Sequence, residues 1–245
     1  MVLFTLLFAA LAMGIAAYGR SAQDSAAVVT APSLVTLVVF LVPLVALILG
    51  HDAIVGERER HTLGLLLSMP VHRTEMLVAK FIGRALALCA SIGIGLGAAS
   101  LILDPGQRAI VLGLVPSTLL LGTAFLSIGV LISVVSKRVA TAASIAVVVW
   151  FSMVFIYDLA LLGLMVMTDG AVGQETVTWL VTLNPAGLFR THQMLQLVGT
   201  DAFAELGLTV SLPGPFVRAM IWASWIVLPL LVGGWSLSGR RAVTA

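Results

Sequence analysis

Of the 13 basic and 11 acidic residues in this chain, eight fall between Asp52 and Lys80. The loop reads Gly50-His51-Asp52-Ala53-Ile54-Val55-Gly56-Glu57-Arg58-Glu59-Arg60-His61-Thr62-Leu63. It runs on through Ser68-Met69-Pro70-Val71-His72-Arg73 to Lys80. Acids interleave with arginines from Glu57 to Arg60. That pattern suits pairing with another protein; fixing membrane topology needs only basic residues. Other reactive side chains are sparse. Asp158 is the one acid deep in an apolar run. A lone charge there costs roughly 2.5–3.5 kcal/mol on insertion scales, so a partner is expected on a neighbouring helix or on a second copy of the chain. Tyr157-Asp158 has the look of an intramembrane aspartyl protease, but the second aspartate of a Gly-x-Gly-Asp motif is missing, and a dyad needs two carboxylates.

Metal and nucleotide chemistry find little support. Met165, Met167, His192 and Met194 are soft donors of the kind that suit Cu(I). Methionines at a lipid boundary ordinarily pack instead, and packing is the reading taken here. His51, His61 and His72 match no zinc-ligand spacing and read as solvated loop residues. The single cysteine, Cys89, lies in an apolar run and excludes a disulfide framework or a CxxC motif. A P-loop needs Gly-Lys-Ser/Thr, yet the only lysines, Lys80 and Lys137, follow Ala79 and Ser136. No HExxH and no G-x-S-x-G occurs. The expectation is therefore a non-catalytic chain with no cofactor of its own; any ATP must be bound by another polypeptide.

The elements that hold these residues are apolar. The chain is 60% hydrophobic and 10% charged, with a mean hydropathy of +1.13. Soluble domains carry about 25% charge, so the solvent here is lipid. The net charge of +2 implies no nucleic-acid surface. A spanning helix needs roughly 20 apolar residues. Six runs qualify: Met1–Tyr18, Leu34–Leu49, Phe81–Leu103, Ile110–Val135, Val139–Met167 and Phe216–Leu237. The first lacks the basic start and cleavage site of a signal peptide. The expected fold is an all-α integral membrane protein with six transmembrane helices.

Nine basic residues fall on one side: Arg58, Arg60, Arg73, Lys80, Arg84, Lys137, Arg138, Arg240 and Arg241. Four fall on the other: Arg20, Arg108, Arg190 and Arg218. The richer side is cytoplasmic by the positive-inside rule, which also places both termini there. Residues 168–215 then form the one long outer segment. Within it Asn184-Pro185 signals a helix start, since Asn caps free N–H groups and Pro fits the first turn. A short helix is expected over 186–198 and another over 176–183. Gly93 and Gly97 are spaced for close helix packing, and Gly122, Gly129 and Gly163 read the same way.

The charged loop predicts a short amphipathic helix from Glu57 to Leu67. Leu63, Leu66 and Leu67 share one face, Glu57 to Arg60 form the polar opening, and Pro70 ends it. Two readings stay open from the residues alone: a solvated hairpin that fixes topology, or a lever on which a cytosolic partner pushes.

At this point the sequence resembles the ABC-2 type permease family. The residues that carry the resemblance are Gly50–Lys80 (GHDAIVGERERHTLGLLLSMPVHRTEMLVAK), 157–170 (YDLALLGLMVMTDG) and 183–190 (LNPAGLFR). The first holds the pattern Gly-Glu-x-Glu leading to Leu-Leu-Ser-x-Pro-Val-x-Arg, the most specific of the three. The resemblance covers nearly the whole chain and implies a single permease domain over 1–245, acting as a homodimer in a bacterial inner membrane. It implies a coupling helix between spans two and three that contacts a separate cytoplasmic ATPase through Gly56, Glu57, Arg58, Glu59, Arg60, Leu63, Leu66, Leu67 and Arg73. It implies short outer helices between spans five and six. Within the family it points to a branch that works with a periplasmic copper-handling protein in maturing the copper-sulfide site of nitrous-oxide reductase. Two departures stand out. The resemblance implies a basic amphipathic helix before the first span, whereas this sequence opens inside that span, as a truncated or misassigned start would. His61 stands where glycine is usual. The competing readings are a general ABC-2 exporter of a lipid or small hydrophobic solute, and a stand-alone channel or carrier without an ATPase.

Overall fold

The computed structural model describes residues 1–21, 26–62, 72–169, 171–205 and 212–239. Every secondary-structure element among them is helical. Lipid offers no partner for backbone N–H and C=O groups, so helices that satisfy their own are the expected solution. Six of them are long and apolar enough to cross a membrane.

The first span is α1 (Val2–Ser21) and the second α2 (Ala26–Gly50). A one-turn helix, α3 (Val55–Glu59), follows α2. Then come α4 (Arg73–Ile102) and α5 (Pro105–Val135), spans three and four. Span five is α6 (Val139–Phe151), a π-helical turn at Ser152–Ile156, and α7 (Tyr157–Met167). The short helices α8 (Gln174–Leu183) and α9 (Pro185–Glu205) precede span six, α10 (Pro215–Gly239).

Helix ends follow local chemistry. His72 caps α4 in a reciprocal box with Glu75, whose Oε2 accepts the His72 N–H at 3.1 Å. Asp104-Pro105 starts α5 with proline in its first turn. Asn184 Oδ1 accepts the Ala186 N–H at 3.0 Å, which caps α9 as its sequence predicts.

The core runs along α5, the most buried of the spans. Phe125 and Leu121 on it are fully buried, as are Leu34 and Leu47 of α2 and Leu88 and Ile92 of α4. Small residues set the closest approaches. Where α2 meets α5, a Cβ on Gly50 would lie 2.8 Å from the Gly129 backbone. Gly122 meets Leu88 and Val42 at 3.0 and 3.2 Å by the same measure. On α4 the close contact falls on Gly95, where a Cβ would collide with the buried ring of Phe8. The sequence pointed instead to Gly93 and Gly97, and these face open space within this chain, as does Gly163. Helical phase decides the matter, since Gly95 lies 200° around the helix from Gly93 and Gly97.

Candidate functional site

The end of the bundle that carries residues 50–62 and 72–84 is called here the charged end. There α2 stops at Gly50, and the chain turns through Asp52 into α3. Two serine and carboxylate contacts fix that turn to the fourth and fifth spans. The N–H groups of Ile54 and Val55, at the buried start of α3, both donate to Ser133 Oγ, at 2.8 and 3.0 Å. A hydroxyl thus satisfies donors that a helix start leaves free. Glu59 Oε1 accepts the N–H of Val139, first residue of α6, at 2.8 Å. The carboxylate sits at the positive end of the α6 dipole.

Cations complete the attachment. The Arg58 guanidinium donates to Ser136 O at 2.5 Å and Val134 O at 3.5 Å, the free carbonyls at the end of α5. Lys80 Nζ pairs with Glu57 Oε1 at 2.7 Å, and Thr62 donates to the other Glu57 oxygen. Those two hydrogen bonds, from Lys80 first and Thr62 second, hold the Glu57 carboxyl below its ordinary range. Arg84 pairs with Asp52 Oδ1 at 2.6 Å and also donates to Leu49 O, at the end of α2. Arg73 reaches across to Leu237 O of α10 at 3.0 Å. Each ion pair is partly solvated and contributes about 0–1 kcal/mol alone. Together they tie one loop to spans two, three, four, five and six.

The predicted helix from Glu57 to Leu67 does not run through. Helix α3 ends at Glu59, and His61 has φ 57°, the left-handed region. The Thr62 N–H bonds Glu57 O at 3.1 Å and the His61 N–H bonds Arg58 O at 3.2 Å. This 6→1 and 5→2 pair is a Schellman stop, in which glycine is the usual left-handed residue. The requirement explains why glycine is expected at position 61. Leu63, Leu66, Leu67 and Pro70 lie outside the described residues. Of the loop residues marked for partner contact, Gly56 is buried, while Glu57, Arg58 and Glu59 are engaged within the chain. Arg60 is exposed.

The opposite end holds a second polar cluster. Asp158, on the first turn of α7, pairs with Arg190 of α9. Asn184 Nδ2 donates to Met153 O within the π-helical turn at 2.7 Å, and Tyr157 Oη donates to Leu180 O of α8 at 2.6 Å. Trp225 Nε1 of α10 donates to Leu183 O at 2.8 Å. A π-turn displaces one carbonyl from the α-pattern, and such turns are frequent at functional sites. A cleft of about 470 Å³ opens between α2, α7 and α9, walled by Val39, Phe40 and Leu162 with the Asp158–Arg190 pair at one side.

Met165 and Met167 are exposed on α7, whereas Met194 packs against the core. His192 lines a different pocket, beside Arg218. Among the described residues no three His, Cys, Asp or Glu side chains gather as a metal site would require. The ring Nδ1 of His51 contacts Ile48 O, and His72 is a helix cap, so two of the three loop histidines have local roles.

Sequence reasoning did not single out Ser133, the Asp52–Arg84 pair, the bond from Val139 to Glu59, or Arg190 as the partner of Asp158. A serine among apolar residues on a span is the only signal for the first. An arginine following a helix-start Asn-Pro would have marked the last.

Six spans, a charged loop after the second, and two short helices before the sixth describe a multi-pass permease. The family profile described as ABC-2 family transporter protein matches residues 35–240. The chain belongs to this family, as the membrane-spanning permease of an ABC transporter. It is 37% identical over 244 residues to the probable ABC transporter permease protein NosY of Stutzerimonas stutzeri, covering 93% of this chain and 88% of that one. It is 38% identical over 241 residues to the protein of the same name from Pseudomonas aeruginosa, covering 94% and 86%.

Proposed function

We propose that this chain is the membrane subunit through which a separate cytoplasmic ATPase drives an ABC complex of the NosY type, acting in maturation of the copper-sulfide site of nitrous-oxide reductase. The observation that carries the coupling part is the attachment of α3 to the α5–α6 joint by Ser133, Arg58 and Glu59. A force applied near Arg60 would not be lost in a slack hairpin. It would act on the ends of α5 and α6 directly and, through Lys80 and Arg84, on α4. The ATPase binds and hydrolyses ATP, and this chain supplies no cofactor.

In this reading the charged end and both termini face the cytoplasm of a bacterial inner membrane, since nine of the 13 Lys and Arg residues then lie inside. Two copies of the chain form the permease. The fifth span, the least buried of the six in a single copy, is where a second copy would add cover. At the far end α8 and α9 offer a surface to a periplasmic copper-handling protein. They are joined to span five by Asp158–Arg190, Tyr157–Leu180 and Asn184–Met153. The likeness to two NosY proteins along nearly the whole chain supports the copper-site part of the reading.

A second reading, export of a lipid or small hydrophobic solute by the same ATP-driven cycle, draws on the apolar cleft between α2 and α7. Reductase maturation in a strain lacking this gene separates the two. Loss of the copper-sulfide cluster with normal expression of the reductase is expected. A fully loaded reductase would contradict the copper-site reading and favour the exporter.

A further inference from the structure

At the end of the bundle away from the charged loop, the described arginines have different fates. Arg190 pairs with Asp158. Arg108 donates to Ser100 O at 3.0 Å and Leu103 O at 3.5 Å, the last carbonyls of α4. Arg218 makes no side-chain hydrogen bond or ion pair among the described residues. It lies in the first turn of α10 and lines a half-open pocket of about 220 Å³ between α5, α9 and α10. Ser117 and His192 line the same pocket, and the Ser117 hydroxyl is likewise without a partner among the described residues. Burial and, after it, the nearby Arg218 lower the His192 imidazole's pKa; its Nε2 lies 3.4 Å from the Gln196 amide nitrogen, which leaves Nδ1 as the donor for the pocket. Among the described residues, three donors and no acid therefore line one space.

The surroundings say what kind of anion fits. Phe189, fully buried, and Trp222, 8% exposed, floor the pocket. Its mouth is lined by apolar Leu120 of α5, 38% exposed, and by the exposed Pro215 and Ala219 of α10. Arg218 is at the end of a membrane span, the depth at which phospholipid phosphates sit. Guanidinium is the side chain best matched to phosphate oxygens, and indole favours the interface just beneath. A soluble anion would leave the apolar mouth unused.

We propose that this pocket seats the phosphate of a single phospholipid, held by the Arg218 guanidinium with Ser117 and His192 as further donors, its acyl chains leaving along Leu120 and Ala219. The site is independent of the coupling loop and of whether any solute crosses.

The test is lipid retention by native mass spectrometry. The full chain, with the subunits it purifies with, is delipidated in non-ionic detergent and titrated with dioleoyl-phosphatidylglycerol. One saturable lipid per chain is expected. Arg218→Gln should weaken it about tenfold or more, the scale of one lost hydrogen bond to a charged group. Ser117→Ala, which changes little else, should weaken it less. Inorganic phosphate at millimolar concentration should not displace the lipid. Equal retention by wild type and Arg218→Gln, or no saturable lipid at all, would overturn the proposal. So would displacement by inorganic phosphate, which would mark a soluble-anion site instead. If Arg218→Gln misfolds, Ser117→Ala and the phosphate competition still decide.

Discussion

Glu59 and Val139 are 80 positions apart in sequence, yet the Glu59 carboxylate accepts the backbone N–H of Val139 at 2.8 Å. One residue of the charged loop thereby caps the helix that begins span five. Replacing Glu59 with Ala removes an N-cap from α6, which costs about 0.5–2 kcal/mol. The account expects a fall in thermal midpoint on that scale for Glu59→Ala. It expects a larger fractional loss of ATP-driven activity than of folded protein, because the same bond links loop to span. A variant that keeps full activity despite the lower midpoint would argue that the contact is only structural.

Ser133 accepts two backbone N–H groups with one hydroxyl. Ser133→Ala leaves Ile54 and Val55, both fully buried, with unsatisfied donors, at about 1–3 kcal/mol. Ser133→Thr, which keeps the hydroxyl, should recover most of the loss. Thermal unfolding of the detergent-solubilised chain measures both.

His61 occupies a left-handed position at φ 57°. A non-glycine residue pays roughly 1–2 kcal/mol there, so His61→Gly is expected to raise stability by up to about that much. A lowered midpoint in His61→Gly would mean the imidazole makes a contact that outweighs the backbone cost.

Gly50 and Gly129 leave no room for a side chain. A Cβ on Gly50 would sit 2.8 Å from Gly129 backbone atoms, which cannot swing away. Gly50→Ala should force α2 and α5 apart and destabilise by about 1–3 kcal/mol. Gly93→Ala and Gly97→Ala, which meet nothing among the described residues, should not lower the isolated subunit's midpoint and should raise it slightly, since Ala is the better helix former. Any loss they cause in the assembled complex would place α4 at an interface between subunits.

The Glu57 carboxyl is held below its ordinary value near 4.5 by Lys80 and Thr62. A depressed carboxyl stabilises the fold above the unfolded value and loses that contribution as pH falls through the folded value. Wild type and Glu57→Gln should therefore differ in midpoint at neutral pH and converge on acidification below about 4.5. A difference that persists undiminished into acid would show that geometry rather than charge is responsible.

Much of this architecture is legible in the residues because lipid simplifies the problem. Apolar length sets the spans, and Asn184-Pro185 marks a helix start through local capping chemistry alone. What the sequence hides is tertiary. Gly93 and Gly97 carry the packing spacing, yet Gly95 meets Phe8, because helical phase against a neighbour cannot be read from one strand of sequence. The loop's pattern suggested one helix from Glu57 to Leu67, but a Schellman stop at His61 ends α3 at Glu59 through backbone bonds that no pattern displays. Asp158 announces the need for a partner; that the partner is Arg190, 32 positions on, follows only once α9 folds back against α7.

The central claim is that an ATPase engages the charged end at the exposed tip of α3. A photoreactive benzoylphenylalanine at position 60, an exposed site with the scaffold residues around it unchanged, tests it in native membranes. The account predicts an ultraviolet-dependent adduct whose second component carries a P-loop, and no such adduct from position 162 on α7. Adducts with lipid alone at position 60, or the same ATPase captured equally from position 162, would contradict it.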